Sequence, residues 1–169
     1  MKKPIFVIQK HDATTLHYDF RIEVDGVLKS WAVPKGPSLN PKDKRLAIMT
    51  TDHKMSYAKF EGVIPEGEYG AGTVMIWDKG TYKNIKEKDG KIVPIKKCLK
   101  NGSVEIFLDG EKLKGVFALV KMQNSDKNWL LIKMKDEYAD DRKNIVKSES
   151  KSAVTNRTLK EIEKNVKTK

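Results

Sequence analysis

The sequence contains little cysteine and histidine, and it has no long apolar segment. Its single cysteine, Cys98, excludes an intramolecular disulfide, which agrees with a reducing compartment. The longest apolar runs, Val116–Val120 and Trp129–Ile132, are far shorter than the roughly 20 residues needed to cross a bilayer. The apolar run at the N-terminus is also too short for a signal peptide. These features predict a cytoplasmic protein with no membrane association.

Positive charge is concentrated in two parts of the chain. The net charge is +11, and Lys79–Lys100 and Arg142–Lys169 each carry +6, so the remaining residues are close to neutral. Clustered lysine favours a polyanionic partner such as DNA or RNA, although lysine that merely aids solubility gives the same composition. The 169 residues, 38% of them hydrophobic, suffice for one core. We predict one domain over residues 1–146, followed by a basic linker and short helix over 147–169.

The spacing of apolar residues predicts a fold made mostly of β-strands. Alternation with a period of two dominates residues 5–134, and turn pairs such as Asp25-Gly26 and Lys79-Gly80 separate the alternating segments. Many short strands with turns between them indicate a sandwich or a barrel. We favour a small closed eight-stranded barrel, because a barrel can enclose a polar pocket. The predicted strands are Ile5–Gln9, Leu16–Val24, Val27–Val33, Leu46–Thr50, Thr73–Trp77, Ser103–Leu108, Gly115–Met122 and Trp129–Met134.

Helix is scarce in this prediction. The segments His53–Phe60 and Asp136–Asp141 each have the pattern of a short helical turn. Residues 147–157 are polar and rich in serine and threonine, which is typical of a linker. The following Thr158-Leu-Lys-Glu161 is a capping-box pattern, and it predicts a helix that ends near Val166.

The strand over residues 16–24 carries the clearest functional signal. Its apolar side chains alternate with His17, Asp19 and Arg21, which therefore share the opposite face. A solvated outer face is the usual explanation of such alternation, but that face is normally made of Lys, Glu, Thr and Ser. His17 and Asp19 are close enough to share one metal ion, and a bend between strands would bring His11 beside them. Two imidazoles and a carboxylate suit a first-row divalent metal and leave coordination positions open.

Other polar residues are candidate contacts for an anion. Arg21 lies one pleat beyond the candidate ligands and offers its guanidinium group to a phosphate. His53 has the chemistry to contact phosphate or to protonate a leaving oxygen. Lys35, in a proline-flanked turn, and Arg45, before an apolar strand, are further candidates, although either alone is more often a surface charge. The glycine-rich Ile64–Gly72 lacks the Gly-Lys-Ser/Thr of a phosphate-binding P-loop, so we predict a structural loop there.

Two other functions fit part of this pattern. His17, Asp19 and His53 would also describe the facial triad of a non-haem iron oxygenase. A barrel with basic segments could instead bind nucleic acid without catalysis, but that requires aromatic residues on the basic face, and most aromatics here alternate inward. The arginine beside the triad and the abundant lysine favour phosphate chemistry over the oxygenase.

Several long motifs, in the same order along the chain, resemble the 3′-phosphoesterase domain of bacterial DNA ligase D, an end-joining repair enzyme. The resemblance covers about residues 4–140, and the chain looks like a stand-alone, archaeal-type member without polymerase or ligase domains. The motifs are Phe6-Val-Ile-Gln-Lys-His-Asp-Ala13, Leu16-His-Tyr-Asp-Phe-Arg21, Leu28-Lys-Ser-Trp-Ala-Val-Pro-Lys-Gly-Pro-Ser38, Phe60-Glu-Gly-Val-Ile-Pro-Glu-Gly-Glu-Tyr-Gly-Ala-Gly72 and Trp129-Leu-Leu-Ile-Lys133.

The resemblance implies an eight-stranded barrel with Mn²⁺-dependent activity on DNA or RNA 3′ ends. Such a domain removes a terminal ribonucleoside by phosphodiester cleavage and then removes the remaining 3′-phosphate, which leaves a 3′-OH. The implied substrates are DNA or RNA-tipped primer-template ends. A separately encoded ligase and polymerase are the expected protein partners of a monomer.

The resemblance also implies roles for individual residues, with one departure from the family pattern. Ligase-linked members have acidic residues in an N-terminal extension, and this chain begins only a few residues before Ile5. We therefore expect the balance between diesterase and monoesterase activity to differ. The implied metal ligands are His11, His17 and Asp19; the implied phosphate contacts are Arg21 and His53, with Tyr57 essential and Lys35 and Arg45 assisting.

Overall fold

The computed structural model describes residues 3–167, with side chains described up to residue 164, and it forms a closed antiparallel β-barrel. The eight barrel strands are β1 (Ile5–Asp12), β2 (Leu16–Val24), β3 (Val27–Val33), β4 (Lys44–Lys54), β6 (Gly72–Asn84), β9 (Ser103–Gly110), β10 (Lys114–Lys121) and β11 (Asn128–Lys133). They follow one another around the barrel in the order β1-β2-β3-β4-β11-β10-β9-β6, and β6 pairs back with β1 to close it. The predicted fold class is therefore confirmed.

Short elements decorate this barrel. A 3-10 helix over Met55–Lys59 follows β4, inside the segment predicted as a helical turn, and β5 (Gly62–Ile64) then pairs with the first residues of β6. Within residues 3–167, no helix is long and apolar enough to span a membrane. The remaining elements are the hairpin of β7 (Glu87–Lys88) and β8 (Lys91–Ile92), and the helices α1 (Ile95–Asn101), α2 (Ile145–Ser148) and α3 (Leu159–Lys167).

Apolar side chains fill the interior of the barrel. All three tryptophans are fully buried, and the rings of Trp31 and Trp129 meet edge to face with centroids 5.6 Å apart. The apolar face predicted for β2 joins this core through Tyr18, Phe20 and Ile22. Because successive side chains alternate across a strand, the polar residues of β2 lie on the outer face of the barrel wall. The polar pocket therefore lies outside the barrel wall and is not enclosed by the barrel.

Strand β6 is longer than predicted and runs through a pair of residues expected to form a turn. Lys79-Gly80 lies inside the strand, and Gly80 pairs with Gly110 of β9. A Cβ atom at Gly80 would lie 2.0 Å from the backbone oxygen of Asp109. The glycine is thus required for close approach of two strands and not for a turn, a distinction that composition alone does not make.

Two helix predictions differ from the structure. Helix α1 was not predicted, although Pro94 precedes it and Gly102, with a φ of 76°, ends it, which is a common arrangement at helix termini. Cys98 is buried on this helix and is a free thiol. The predicted helical turn over Asp136–Asp141 is wrong. The Asp136 carboxylate accepts the backbone N–H groups of Val116 and Tyr138, and these bonds favour an irregular turn.

The C-terminal segment packs along the barrel. Trp77 donates its indole N–H to the Glu149 carbonyl at 2.6 Å, and Ala153 donates its N–H to the Ile76 carbonyl at 2.8 Å. The predicted capping box is confirmed, since the backbone N–H of Thr158 donates to the side chain of Glu161. The side chain of Val166, predicted to share the apolar side of α3, lies outside the described residues. The division of the chain at residue 146 stays a prediction.

Replacing Asp78 with alanine should destabilise the barrel. This carboxylate is fully buried and accepts the backbone N–H groups of Lys79, Glu111, Lys112 and Leu113 at 2.8 to 3.0 Å. Because buried donors left without acceptors are costly, Asp78→Ala should lower the free energy of unfolding by about 2–4 kcal/mol, measured by urea titration. Asp109→Ala, at an exposed carboxylate, should leave the midpoint nearly unchanged. Equal midpoints for the two variants would contradict this role of Asp78.

Candidate metal and phosphate site

A polar cavity of about 370 Å³ lies against the outer face of β1 to β4. Strand β1 contributes His11, and β2 contributes three polar side chains. The 3-10 helix and the loop between β5 and β6 cover the opposite side. The cavity is lined by His11, Ala13, His17, Asp19, Arg21, Ala32, Thr50, His53, Tyr57, Ile64, Tyr69 and Gly70.

The pairing of β1 with β2 explains why two distant histidines meet. The strands form an antiparallel hairpin in which His11 is the direct partner of His17, and Gln9 is the partner of Asp19. Cross-strand partners on one face are neighbours, and the residue two positions along is the diagonal neighbour. The six-residue spacing of the histidines therefore places both rings beside Asp19. The predicted bend is this hairpin.

Three side chains converge closely enough to hold one metal ion. The ligand atoms of His11, His17 and Asp19 all lie within 4.8 Å of one another. Asp19 Oδ2 lies 3.5 Å from His11 Nδ1 and 3.3 Å from His17 Nε2. His53 does not belong to this cluster, so the arrangement does not match the iron-oxygenase triad, which requires it as the third ligand.

Hydrogen bonding prepares these side chains for a cation. His17 Nδ1 lies 3.0 Å from the Thr15 carbonyl, and when it donates there the lone pair of Nε2 faces the cluster. His11 Nε2 is buried and has no hydrogen-bond partner among the described residues. A buried ring nitrogen without a partner and an ionised carboxylate fit a divalent transition metal.

The cluster also shifts the pKa values of its members. The hydrogen bond to Asp19 raises the pKa of His17, although burial of the ring acts in the opposite direction. Burial alone would raise the pKa of Asp19. Hydrogen bonds from His11 and His17 and the positive charge of Arg21 outweigh burial and hold that pKa well below its usual range. Asp19 is therefore a carboxylate at every physiological pH.

Arg21 is a buried cation that is held on several sides. Its Nε donates to the side chain of Gln9 at 2.7 Å, Nη1 donates to Ser30 at 2.9 Å, and Nη2 lies 3.3 Å from Asp19. The guanidinium group also lies 5.0 Å from the centre of the Tyr57 ring. A buried charge needs such partners to remain ionised. Because Nε and Nη1 are engaged by neutral side chains, Nη2, which forms the ion pair with Asp19, is the part of the guanidinium that remains for a ligand.

Gln9 organises the site, and the sequence analysis missed this residue. Its side chain is fully buried and donates to the backbone carbonyls of Tyr57 at 2.8 Å and Phe60 at 3.2 Å. Since it also accepts the bond from Arg21, one side chain joins this arginine to the 3-10 helix. One feature of the sequence could have identified Gln9. It is a polar amide at the end of an apolar stretch, two residues before His11.

A β-bulge turns His53 toward the cavity. Ser30 pairs with Thr50, but Leu28 pairs with His53, so β4 contains one extra residue between these pairs. The extra residue reverses the face on which the following side chains lie. His53 Nδ1 lies 3.2 Å from Arg21 Nη1 and 3.0 Å from the Thr51 carbonyl, so it accepts from the arginine in one tautomer and donates to the carbonyl in the other. Burial and the charge of Arg21 lower the pKa of His53, so its ring is neutral at neutral pH.

The 3-10 helix brings an aromatic wall to the same cavity. The ring of Tyr57 stacks on Phe60 with centroids 5.4 Å apart, and it lies 4.9 Å from the ring of His53. Burial raises the pKa of Tyr57, so its hydroxyl stays protonated at neutral pH. The structure therefore places Tyr57 beside both His53 and Arg21.

The two remaining candidates lie outside the lining of this cavity. Lys35 is exposed in the loop after β3. Arg45 pairs with Asp43 at 3.6 Å and lines a separate small cavity with Ser38 and Asn144. Because Arg45 shares the face of β4 occupied by the buried Ala47, it points away from the metal cluster. If Lys35 or Arg45 contacts a ligand, it contacts a part of that ligand that lies far from the metal cluster.

A larger cavity is a separate groove on the other side of the 3-10 helix. It measures about 940 Å³, and apolar side chains such as Ile5, Val7 and Met55 line it together with three lysines and two carboxylates. It contains no histidine and none of the three residues that converge on Asp19. Volume alone therefore does not identify the cavity that could hold a metal ion.

The structure combines a closed antiparallel barrel with a cluster of two histidines and one aspartate, and a buried arginine lies beside the cluster. The protein therefore belongs to the class of β-barrel proteins with a site suited to a metal ion and an anion. Residues 9–121 match the family model of the DNA ligase D 3′-phosphoesterase domain. Because the match covers more than half of the chain, the protein belongs to this family, whose members are phosphoesterases. The resemblance of its motifs to this family is confirmed.

The chain is also similar to part of several larger proteins. It is 45% identical over 158 residues, 91% of its length, to the multifunctional non-homologous end joining protein LigD of Pseudomonas aeruginosa. It is 48% identical over 132 residues, 78% of its length, to the multifunctional non-homologous end joining DNA repair protein LigD of Mycobacterium tuberculosis. The chain spans 18% and 16% of these two relatives, respectively.

Metal binding by the cluster can be tested without an activity assay. Titration of the protein with Mn²⁺ in a calorimeter should give one site, and Asp19→Asn should weaken it at least about tenfold, because the ligand loses its negative charge. Asp109→Asn, an identical change at an exposed carboxylate, should bind as the wild type does. Unchanged affinity in a folded Asp19→Asn protein would contradict the assignment.

Proposed function

We propose that this chain is a metal-dependent 3′-phosphoesterase that heals DNA or RNA 3′ ends during DNA repair. It removes a 3′-terminal ribonucleoside by phosphodiester cleavage and then removes the remaining 3′-phosphate, leaving a 3′-OH. The observation that supports this most directly is the position of Arg21, whose Nη2 lies 3.3 Å from the same Asp19 oxygen that faces both histidines. A metal ligand set and a phosphate-binding cation thus share one cavity.

We propose Mn²⁺ as the metal, held by His11, His17 and Asp19. When bound, it supplies Lewis acidity toward a phosphoryl oxygen and lowers the pKa of a bound water. Membership of the phosphoesterase family supports this choice of chemistry over an iron oxygenase. The hydrogen bond from His17 to the Thr15 carbonyl keeps its ring oriented for coordination through the other nitrogen.

The residues around the metal cluster stabilise charge on the phosphate and on the leaving oxygen. In the monoesterase step, a water oxygen bonds to phosphorus, the bond from phosphorus to the 3′ oxygen breaks, and that oxygen takes the proton that the water loses. Nη2 of Arg21 stabilises the negative charge that builds on the phosphoryl oxygens. In the tautomer in which His53 accepts from Arg21 at Nδ1, its proton lies on Nε2, which donates a hydrogen bond to the leaving oxygen while that oxygen becomes protonated.

Tyr57 positions the other residues and contacts the phosphate. Its ring lies against the guanidinium of Arg21 and the imidazole of His53, so it restricts the motion of both. Lys35 and Arg45 assist by binding phosphates farther along the strand, as their positions outside the cavity suggest. The lysine-rich segments add attraction for the nucleic-acid backbone that does not depend on base sequence.

The proposed activity can be tested with two primer-templates, one ending in a 3′-phosphate and one in a 3′-ribonucleotide. With Mn²⁺, both should be converted to 3′-OH ends, and a chelator should stop the conversion. His17→Ala should lower the rate at least about 100-fold while the circular dichroism spectrum stays that of the folded barrel, because a metal ligand is lost. Asp109→Ala serves as the control outside the cavity.

Two results would count against the proposal. A folded His17→Ala protein with full activity would remove the metal cluster from the mechanism. A wild-type protein that binds the 3′-phosphate end but never releases phosphate, with any divalent metal, would favour a binding protein without catalysis.

A further inference from the structure

Tyr69 is an aromatic side chain that the proposed mechanism leaves unused. Its side chain lines the candidate cavity, yet it is 83% exposed, more than any other large hydrophobic residue in the described part of the chain. The next most exposed, Val154, reaches 52%. Every other described tyrosine packs against a neighbouring ring or a lysine side chain, or is buried. An exposed aromatic ring that lines the candidate cavity can offer its face to a planar ligand.

The loop that carries Tyr69 is held in place next to the metal cluster. It consists of two successive turns, closed by the bonds from the Glu68 N–H to the Pro65 carbonyl and from the Ala71 N–H to the Glu68 carbonyl. A Cβ atom at Gly72 would lie 2.3 Å from the Asp12 carbonyl oxygen, so the loop ends directly against β1. The ring is thus presented from a short, anchored loop.

The charges on this loop indicate which part of a substrate it meets. Glu66 and Glu68 precede Tyr69 on this loop, and both are exposed. Two carboxylates would repel a nucleic-acid phosphate, whereas Arg21, the candidate phosphate contact, lines the same cavity from β2. The loop is therefore suited to an uncharged, planar part of the ligand. In a nucleotide that part is the base.

We propose that Tyr69 is a stacking platform for the base of the 3′-terminal nucleotide whose phosphate occupies the cavity. This proposal rests on the proposed function, because it takes a 3′-phosphorylated end as the ligand. The terminal base is attached to the same sugar as the 3′-phosphate, so a phosphate at Arg21 places the base at the rim where Tyr69 stands. Stacking on a ring face accepts every base, which suits an enzyme that must heal ends of any sequence.

Fluorescence of an uncleavable end tests the proposal directly. The probe is a primer-template with 2-aminopurine at the 3′-terminal position and a methylene group in place of the 3′ oxygen, so that it binds with Mn²⁺ present but is not cleaved. Stacking on Tyr69 should quench the probe. Tyr69→Ala should lose most of the quenching and bind about tenfold more weakly, the size expected for one base–aromatic stack.

Matched variants separate the ring from its hydroxyl and from general effects of mutation. Tyr69→Phe should keep the quenching and the affinity, because the ring face is retained. Tyr138→Ala, at a tyrosine that packs on Phe107 outside the cavity, should match the wild type. An end with no base on the terminal sugar should bind equally well to wild-type protein and to Tyr69→Ala.

The possible failures are distinguishable. Quenching and affinity that are unchanged in Tyr69→Ala, or lost equally in Tyr69→Phe, would overturn the stacking proposal while leaving the phosphoesterase proposal intact. A weaker interaction of Tyr69→Ala with the baseless end would show that the loop contacts the backbone, and would also overturn it. A wild-type protein that converts no 3′-phosphate to 3′-OH would instead contradict the function on which it rests.

Discussion

The pairing of β1 with β2 is the interaction on which the rest of the molecule depends. Its register places His11 directly opposite His17 and sets Asp19 diagonally beside both. The same strand β1 pairs on its other edge with β6, and this contact closes the barrel. A slip of one residue would move every polar side chain of β2 into the apolar interior. The cluster and the core are therefore fixed by one register.

The buried guanidinium of Arg21 connects the metal cluster to the covering layer of the site. Removing it from water is costly unless polar groups surround it, and its partners come from strands β1, β2, β3 and β4. Gln9 extends the network to the 3-10 helix through the carbonyls of Tyr57 and Phe60. This network keeps the cavity formed, so a ligand meets a site that needs little reorganisation.

Much of this structure could be predicted from local patterns, because those patterns reflect physics that acts between neighbouring residues. Alternation located all eight barrel strands, and it placed His17, Asp19 and Arg21 on one face of β2. The predictions failed where a long-range contact decides the outcome. Gly80 was expected to form a turn, but the approach of β9 keeps it in a strand. Asp136 was expected in a helical turn, but it accepts the N–H of Val116 from a neighbouring strand.

The sequence by itself determined the strand pattern, the order of the polar residues on β2, the motifs of the 3′-phosphoesterase family and the candidate ligands. The tertiary structure decided that the polar pocket lies outside the barrel wall, because the interior is filled by tryptophan and other apolar side chains. It also decided that a β-bulge turns His53 toward this outer pocket and that Gln9 supports Arg21, while Arg45 points away from it. These features depend on which strands become neighbours, and a residue's own neighbours in sequence carry no information about that.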